Sequence, residues 1–143
     1  MNKQQAKKTA RDLFEQYGLQ EWRFKLDNAK RRLGVCYFSE KIISMSKHLL
    51  KHEEGFMNTL KHEVAHAIVG IRIGHGYEWR QKAIELGCDG QRCSAIVLVP
   101  HKWIGTCGRC GATMRRHRVS KRLRRLGTHP KCGGGFITWK RGN

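Results

Sequence analysis

The chain has 143 residues and a formal net charge of +18, with 29 Lys and Arg against 11 Asp and Glu. This length can bury one modest core with a small appended module, which excludes two full-sized domains. It has no apolar run of about eighteen residues and no hydrophobic stretch behind its basic N-terminus. We therefore expect no membrane span and no secretory signal, a cytoplasmic location, and six cysteines that serve as thiols or metal ligands.

The first half of the chain predicts one helix followed by a small sheet. Apolar residues recur at helical spacing over residues 3–17, and Gly18 follows as a stop signal. Three short apolar segments at residues 22–26, 34–39 and 41–46 then predict strands, and we expect them to form a meander. A helical turn is expected at 47–50, and a charged loop at 51–55.

Residues 56–73 predict an amphipathic helix that carries a metal-binding pattern. The segment contains His62-Glu63-Val-Ala-His66, and His75 follows nine positions later between two glycines. On a helix, residues four apart share one face, so His62 and His66 can reach the same ion while Glu63 projects beside them. His75 would then be the third ligand and leave the fourth tetrahedral position for water. The competing interpretation is an ordinary core helix with surface histidines.

The chain beyond His75 divides near residue 100. A second helix is predicted at 77–86, with Trp79, Ala83 and Leu86 facing inward, and a short strand is predicted at 94–99. Cys88 and Cys93 are interpreted as core or loop thiols. Composition changes at Pro100, so we predict one domain over residues 1–100 and a basic module over 101–143.

The C-terminal module contains a second candidate metal site. Cys107 and Cys110 are separated by two residues, as in zinc knuckles, and His129 and Cys132 repeat that gap. Together these four residues would form a closed structural zinc site, with His117 as the rival for the fourth place. The module has few large apolar residues, so a bound zinc would supply folding energy that its core lacks. The competing interpretation is a disordered tail with incidental cysteines.

The same module is strongly cationic, which favours a nucleic-acid partner. Residues 101–143 contain twelve Lys or Arg and no Asp or Glu. Such a surface attracts a phosphate backbone by releasing counterions. An anionic membrane and a merely solvated tail are the alternatives. Trp103, Phe136 or Trp139 could stack on unpaired bases or form the small core. The cations expected to form one dense stripe are Arg115, Arg116, Arg118, Lys121, Arg122, Arg124 and Arg125.

The two metal patterns together resemble those of the SprT-like metalloproteins, which include the Spartan proteases. The resemblance is carried by residues 59–67 around the His-Glu-x-x-His run, by residues 74–79 around His75, and by Gly87 and Cys93. The cysteine-bearing tail resembles the zinc ribbon of the bacterial SprT branch, although His129 stands where a Cys is usual. The resemblance implies a compact zincin-like domain with zinc held by three histidines, Glu63 as the catalytic carboxylate, and cleavage of proteins trapped on DNA.

We therefore expect an α+β protein in which a zincin-like domain is followed by a small zinc ribbon. The zincin-like domain would comprise an N-terminal helix, a three-stranded sheet, the zinc helix and one further helix. The expected function is a monomeric, nucleoid-associated zinc endopeptidase with one catalytic and one structural zinc, acting on proteins bound or crosslinked to DNA. The alternatives are a non-catalytic nucleic-acid-binding or regulatory protein, and a zinc hydrolase with a small or nucleic substrate.

Overall fold

A three-stranded sheet and three helices make up the first of two separate units in the computed structural model, which describes residues 1–142. This unit spans Met1–Val99, and the second unit begins at Pro100. The first unit contains, in chain order, α1 (Lys3–Gln16), β1 (Arg23–Asp27), β2 (Gly34–Tyr37), β3 (Ile42–Ser46), a 3-10 turn (Lys47–Lys51), α2 (Glu53–Val69) and α3 (Tyr77–Glu85). The expected mixed α+β class is confirmed.

The three strands lie where they were predicted, but the expected meander is wrong. The strand order is β1-β3-β2, with β1 parallel to β3 and β2 antiparallel to β3. The central strand, β3, is the most buried of the three: four of its five residues are buried, whereas β1 and β2 contain no fully buried residue. This order leaves β2 at one edge of the sheet, and β1 at the other.

Helix α2 begins three residues before the predicted start and ends four residues before the predicted end. Glu53 and Glu54, expected in a charged loop, form its first turn, where carboxylates interact favourably with the helix dipole. The helix stops at Gly70, whose φ of 91° lies in the left-handed region that glycine adopts most easily. His75 therefore lies outside α2, in the segment that follows the helix.

The core of the first unit lies between the sheet and the helices. α1 contributes Ala6, Ala10 and Phe14, and α3 contributes Trp79 and Ala83, all at most 3% exposed. Phe56 and Leu60 of α2 are fully buried against the central strand's Ile43 and Met45, among others. Burying side chains of this size supplies about 1.5–3 kcal/mol each, so α2 is anchored firmly at the level of its metal-binding pattern.

The strand predicted over residues 94–99 is absent from the structure. This segment pairs with no strand of the described chain, and it buries Leu98 and packs Ile96 on the core instead. A Cβ at Gly55 of α2 would lie 2.3 Å from Ile96 Cδ1. The short apolar run thus reflects packing onto a helix at a glycine, not pairing in a sheet.

The second unit is a four-stranded antiparallel sheet with one short helix. Its strand order is β5-β4-β7-β6, and its elements are β4 (Trp103–Cys107), β5 (Thr113–Arg116), α4 (Lys121–Leu126), β6 (Thr128–His129), a 3-10 turn (Pro130–Cys132) and β7 (Gly135–Arg141). Helix α4 was not predicted, and the Ser120 hydroxyl caps it by accepting from Leu123 N at 3.1 Å. Cys107 and Ile137 are the buried apolar residues of this unit.

The described helices are short. α2 is the longest, with 17 residues. No helix within residues 1–142 combines the length and apolar character that crossing a bilayer requires.

Candidate metal centre and active-site cleft

Three histidine rings converge on one point at the end of α2. His75 Nε2 lies 3.1 Å from His62 Nε2 and 3.0 Å from His66 Nε2. The histidines one turn apart on α2 are half-buried, and His75 reaches them from the segment after Gly70, where Gly74 also has positive φ. Nε2 of His75 carries at most one proton, so it can donate to only one of the other two rings.

The donor atoms fit a small divalent cation. Nitrogens bound to zinc at about 2.0–2.1 Å in tetrahedral geometry lie about 3.3 Å from one another. The two observed spacings are within 0.3 Å of that value, and all three ligand atoms lie within 4.8 Å of one another. Three imidazoles leave a fourth tetrahedral position for water or substrate, which is the ligand count of catalytic rather than structural zinc sites.

The electrostatics of the rings also suit metal binding. Burial lowers the pKa of His62 to about 4, with a further lowering by His75. Burial likewise lowers the pKa of His66 to about 4, and burial together with Arg92 lowers the pKa of His75. The rings on α2 are therefore neutral at pH 7, and neutral imidazole is the form that binds metal.

Trp79 of α3 forms the floor beneath all three rings. Its indole is 1% exposed, and its centroid lies 4.6 Å from that of His62, 5.2 Å from that of His66 and 4.7 Å from that of His75. Its Nε1 donates to the His62 carbonyl at 3.3 Å. One rigid side chain thus fixes ring orientation for ligands from two different segments of the chain.

Glu63 lies beside the three histidines and is buried beneath the edge strand β2. It is 8% exposed, and a Cβ at Gly34 of that strand would lie 3.1 Å from Glu63 Cγ and from Thr59 Cγ2. The absence of a side chain at Gly34 therefore lets α2 approach the strand closely. Burial raises the pKa of Glu63 to about 7, and Arg32 opposes that rise. The carboxyl is thus poised to exchange a proton near neutral pH.

The three histidines and Glu63 line a cleft with a volume of about 550 Å³. β2 and the residues before it line one side, and residues 91–94 and Ile96 line another. Arg32 is held in this lining by Asp27, at 2.8 Å between Nη2 and Oδ2. Cys93, interpreted from the sequence as a core or loop thiol, is exposed here. Burial raises the pKa of the Cys36 thiol to about 12, with Glu63 adding to the rise, so Cys36 stays protonated.

The second unit contains a separate group of potential ligands. Cys107, Cys110, His129 and Cys132 place their ligand atoms within 4.8 Å of one another. The Sγ atoms of Cys107 and Cys132 are 3.5 Å apart, close to the spacing of about 3.8 Å for thiolates bound to zinc at about 2.3 Å. Backbone N–H donation from Cys110, with further hydrogen bonds, lowers the pKa of Cys107 to about 6. This group supplies four ligands, which would close the coordination shell.

The structure brings His129, and not His117, into that group. His129 Nδ1 lies 3.3 Å from Cys110 Sγ, whereas the His117 ring stacks on His101 with centroids 4.3 Å apart. A Cβ at Gly135 would lie 2.6 Å from Cys107 Sγ, so β7 also approaches this group closely.

The seven predicted nucleic-acid contacts are all exposed, but they do not form one row. Arg115 and Arg116 are consecutive on β5 and point to opposite faces of the sheet, because strand side chains alternate. The remaining five lie after β5 and on α4, where the helical period turns them in several directions; they are Arg118, Lys121, Arg122, Arg124 and Arg125.

The three aromatic residues of the second unit differ in how far they are free to stack on a ligand. The guanidinium groups of Arg124 and Arg141 lie 5.3 and 5.2 Å from the Trp103 ring centroid. Trp139 is half-buried over Gly105, and Arg116 lies 5.9 Å from its ring. Phe136 is 68% exposed, so it is not a core residue.

Three contributors to the site escaped the sequence analysis. Gly34 had a signal, because a glycine at the start of a strand often marks a close backbone or ligand approach. Trp79 was expected to face inward, but its contact with the three rings depends on how α3 packs against α2. The anchoring of Arg32 by Asp27 becomes visible only in three dimensions.

Replacing Trp79 with Ala should weaken zinc binding at the three-histidine group by about 10- to 100-fold, the range found for residues that orient metal ligands. It should also lower the free energy of unfolding by about 3–5 kcal/mol, because a large buried ring is lost. Competition with a chromophoric chelator measures the affinity, and Trp79→Phe, which retains a ring, should lose less. Unchanged zinc affinity in folded Trp79→Ala would remove its positioning role.

Zinc stoichiometry should separate the two ligand groups. Elemental analysis of the purified protein should find about two zinc ions per chain, and His66→Ala and Cys132→Ser should each retain about one. His52→Ala is the matched control, since His52 is exposed and belongs to neither group. A variant that loses both ions, or neither, would contradict two independent sites.

The buried Glu63 should leave a pH signature on stability after zinc is removed by chelation. Because its folded pKa of about 7 exceeds the ordinary 4.5, its contribution to the free energy of unfolding is greatest below pH 4.5 and is lost as pH rises to 7. The total is about 3 kcal/mol. Glu63→Gln cannot titrate, so its stability advantage over wild type should grow by about that amount between pH 4.5 and 8. Urea denaturation measures this, and a gap independent of pH would refute the assignment.

Comparison with known proteins agrees with the geometry of the first unit. The SprT-like family matches residues 3–97. An uncharacterized protein of Mycoplasma pneumoniae (strain ATCC 29342 / M129 / Subtype 1) is 39% identical over 56 residues, which are 38% of this chain and 16% of that protein. The match thus spans about a sixth of that relative's length. No solved structure matches the chain. Because the family covers most of the chain and all of its three-histidine centre, the protein belongs to the SprT-like family.

Proposed function

We propose that the protein is a zinc-dependent endopeptidase with a zincin-like catalytic unit, acting on proteins bound or crosslinked to DNA. The observation that carries the enzymatic part is the convergence of three neutral imidazoles beside a buried carboxyl in an open cleft. A site that served only to hold the fold together would have no use for an open fourth position, or for a carboxyl kept out of water.

The chemistry follows from the residues that line the cleft. Zinc, when bound by His62, His66 and His75, supplies Lewis acidity toward water and toward a peptide carbonyl. Glu63 accepts the proton of the attacking water and passes it to the leaving amine, because its pKa lies near the working pH. Trp79 and the close packing at Gly34 hold the ligands and the carboxyl in fixed positions while this proton moves.

A polypeptide substrate suits the shape of the site. β2 lies at the edge of its sheet and lines the cleft, so an extended peptide can add to it as a further strand. Backbone hydrogen bonding of this kind recognises any extended chain and depends little on side chains. Selectivity would then come from where the enzyme is held, which is what cleavage of proteins trapped on DNA requires.

The second unit is proposed to hold the enzyme on nucleic acid. Its twelve cations and lack of carboxylates attract phosphates, and its Cys3His group would bind a structural zinc that maintains the sheet. Phe136 is the aromatic best placed to stack on an unpaired base, because Trp103 and Trp139 are already in contact with arginines. Single-stranded and double-stranded nucleic acids would both be attracted through their phosphates. Only a single strand would also offer unpaired bases on which Phe136 can stack.

Glu63→Gln should abolish cleavage of a DNA-crosslinked protein and leave two bound zinc ions. Loss of the general base costs about 100- to 10,000-fold in rate. Gel electrophoresis of the crosslinked substrate, with and without added free DNA, measures the rate, and elemental analysis verifies the metal. Glu53→Gln on the same helix is the matched control, because Glu53 is exposed and lies outside the cleft lining. Cleavage at the wild-type rate by zinc-loaded Glu63→Gln would exclude the proposed mechanism.

A further inference from the structure

The first unit carries a cationic surface of its own, away from the residues that line the metal-site cleft. Two adjacent cavities of about 450 and 440 Å³ lie between α1 and β1 and share Lys7 and Phe24 in their linings. We call these two cavities together the α1–β1 groove. Its cationic residues are Lys3, Lys7, Arg11, Arg23, Lys25 and Lys47.

The six cations of the groove are exposed, and within residues 1–142 no ion pair neutralises any of them. Two carboxylates also line the groove. Asp27 is already engaged, accepting from Arg32 at 2.8 Å and from the Ser44 hydroxyl at 2.6 Å. Glu15 is the other, so the groove keeps a large excess of positive charge.

The cations are regularly spaced along both walls. Lys3, Lys7 and Arg11 recur every four residues on α1, which places them on one face at steps of about 6 Å. Arg23 and Lys25 are alternate residues of β1, on one face and about 6.6 Å apart. Such like-charged rows repel internally, and Lys3 in the first turn of α1 also opposes the helix dipole. An anionic polymer with a regular repeat would relieve both costs.

We propose that the α1–β1 groove binds the sugar-phosphate backbone of a nucleic acid, as a second contact independent of the basic module that begins at Pro100. The chemistry favours this polyanion over a membrane, because an interfacial site exposes apolar groups to insert. In the groove, Trp22 and Phe24 are half-buried and make edge-on contacts with Phe38 and Phe56. Every exposed residue of the groove lining is charged or polar.

This inference shares its nucleic-acid partner with the proposed function, but its evidence is the charge of the metal-binding unit itself. The consequence would be attachment of the protein to nucleic acid at two points. With a cationic surface on each unit, the enzyme would hold nucleic acid by the unit that carries the cleft as well as by the ribbon.

The test uses the full-length, zinc-loaded protein and a fluorescein-labelled 20-base-pair DNA, with affinity measured by anisotropy between about 0.05 and 0.2 M salt. The groove variant is Lys7→Gln, Arg11→Gln and Lys25→Gln combined. The matched control removes the same charge elsewhere on the first unit, by Lys61→Gln, Arg72→Gln and Arg80→Gln. A third variant, Arg122→Gln, Arg124→Gln and Arg125→Gln combined, removes the same amount of positive charge from the second unit.

The groove variant should bind about tenfold or more weakly, and its plot of log affinity against log salt should be shallower by about 2 to 3, since each lost phosphate contact removes about 0.9. The charge-matched control should change that slope by less than about 0.5. Equal behaviour of groove variant and control, or absence of DNA binding by wild type, would overturn the inference. The inference would also be overturned if the groove variant lost binding to phosphatidylserine vesicles but kept the DNA affinity of the wild type. Absence of proteolysis with the groove effect present would refute the proposed enzyme and leave the groove standing.

Discussion

The crowding of three imidazole nitrogens above one buried indole is the constraint on which the rest of the first unit depends. Two of the rings come from a single turn of α2, and the third comes from a glycine-flanked segment that returns the chain to the same point. Trp79 supports all three rings and is itself fixed by the packing of α3 in the core. The ligand geometry is thus built by tertiary packing, and the sequence motif supplies only its chemical groups.

Placing a carboxyl beside these rings has a cost that clarifies its role. Glu63 is buried under β2, where its charged form is disfavoured, and only Arg32 opposes that effect. Charged groups kept in such surroundings are commonly functional, because stability alone would favour an apolar residue at the same place. The glycine at position 34 points the same way, since it brings the edge strand and the carboxyl into close contact. Both features support the catalytic role that we propose for Glu63.

Features that depend on local sequence patterns were predicted better than contacts between distant segments. The periodicity of residues 3–17 and the spacing of His62, Glu63 and His66 each depend on one helix, so both helices were found within a few residues. The strand order failed because neighbours along the chain were assumed to pair, whereas burial places Ile43 and Met45 at the centre of the sheet. The short apolar run at 94–99 was predicted to be a strand, but its Ile96 packs against Gly55 of α2. Contacts such as that of Trp79 under the histidines link segments whose relation no local pattern encodes.

The position of His75 outside α2 has a consequence for how a bound metal would be held. The two ligands on α2 are spaced by a rigid helix before any ion arrives, whereas His75 is exposed and lies between Gly70 and Gly76, beside Gly74, on backbone with two positive φ angles. A shift of this glycine-rich segment would therefore withdraw one of the three rings and leave the helix pair in place. The lifetime of a bound zinc ion should then depend on how firmly the seven residues between α2 and α3 are held, and not only on the stability of the helix that carries the motif.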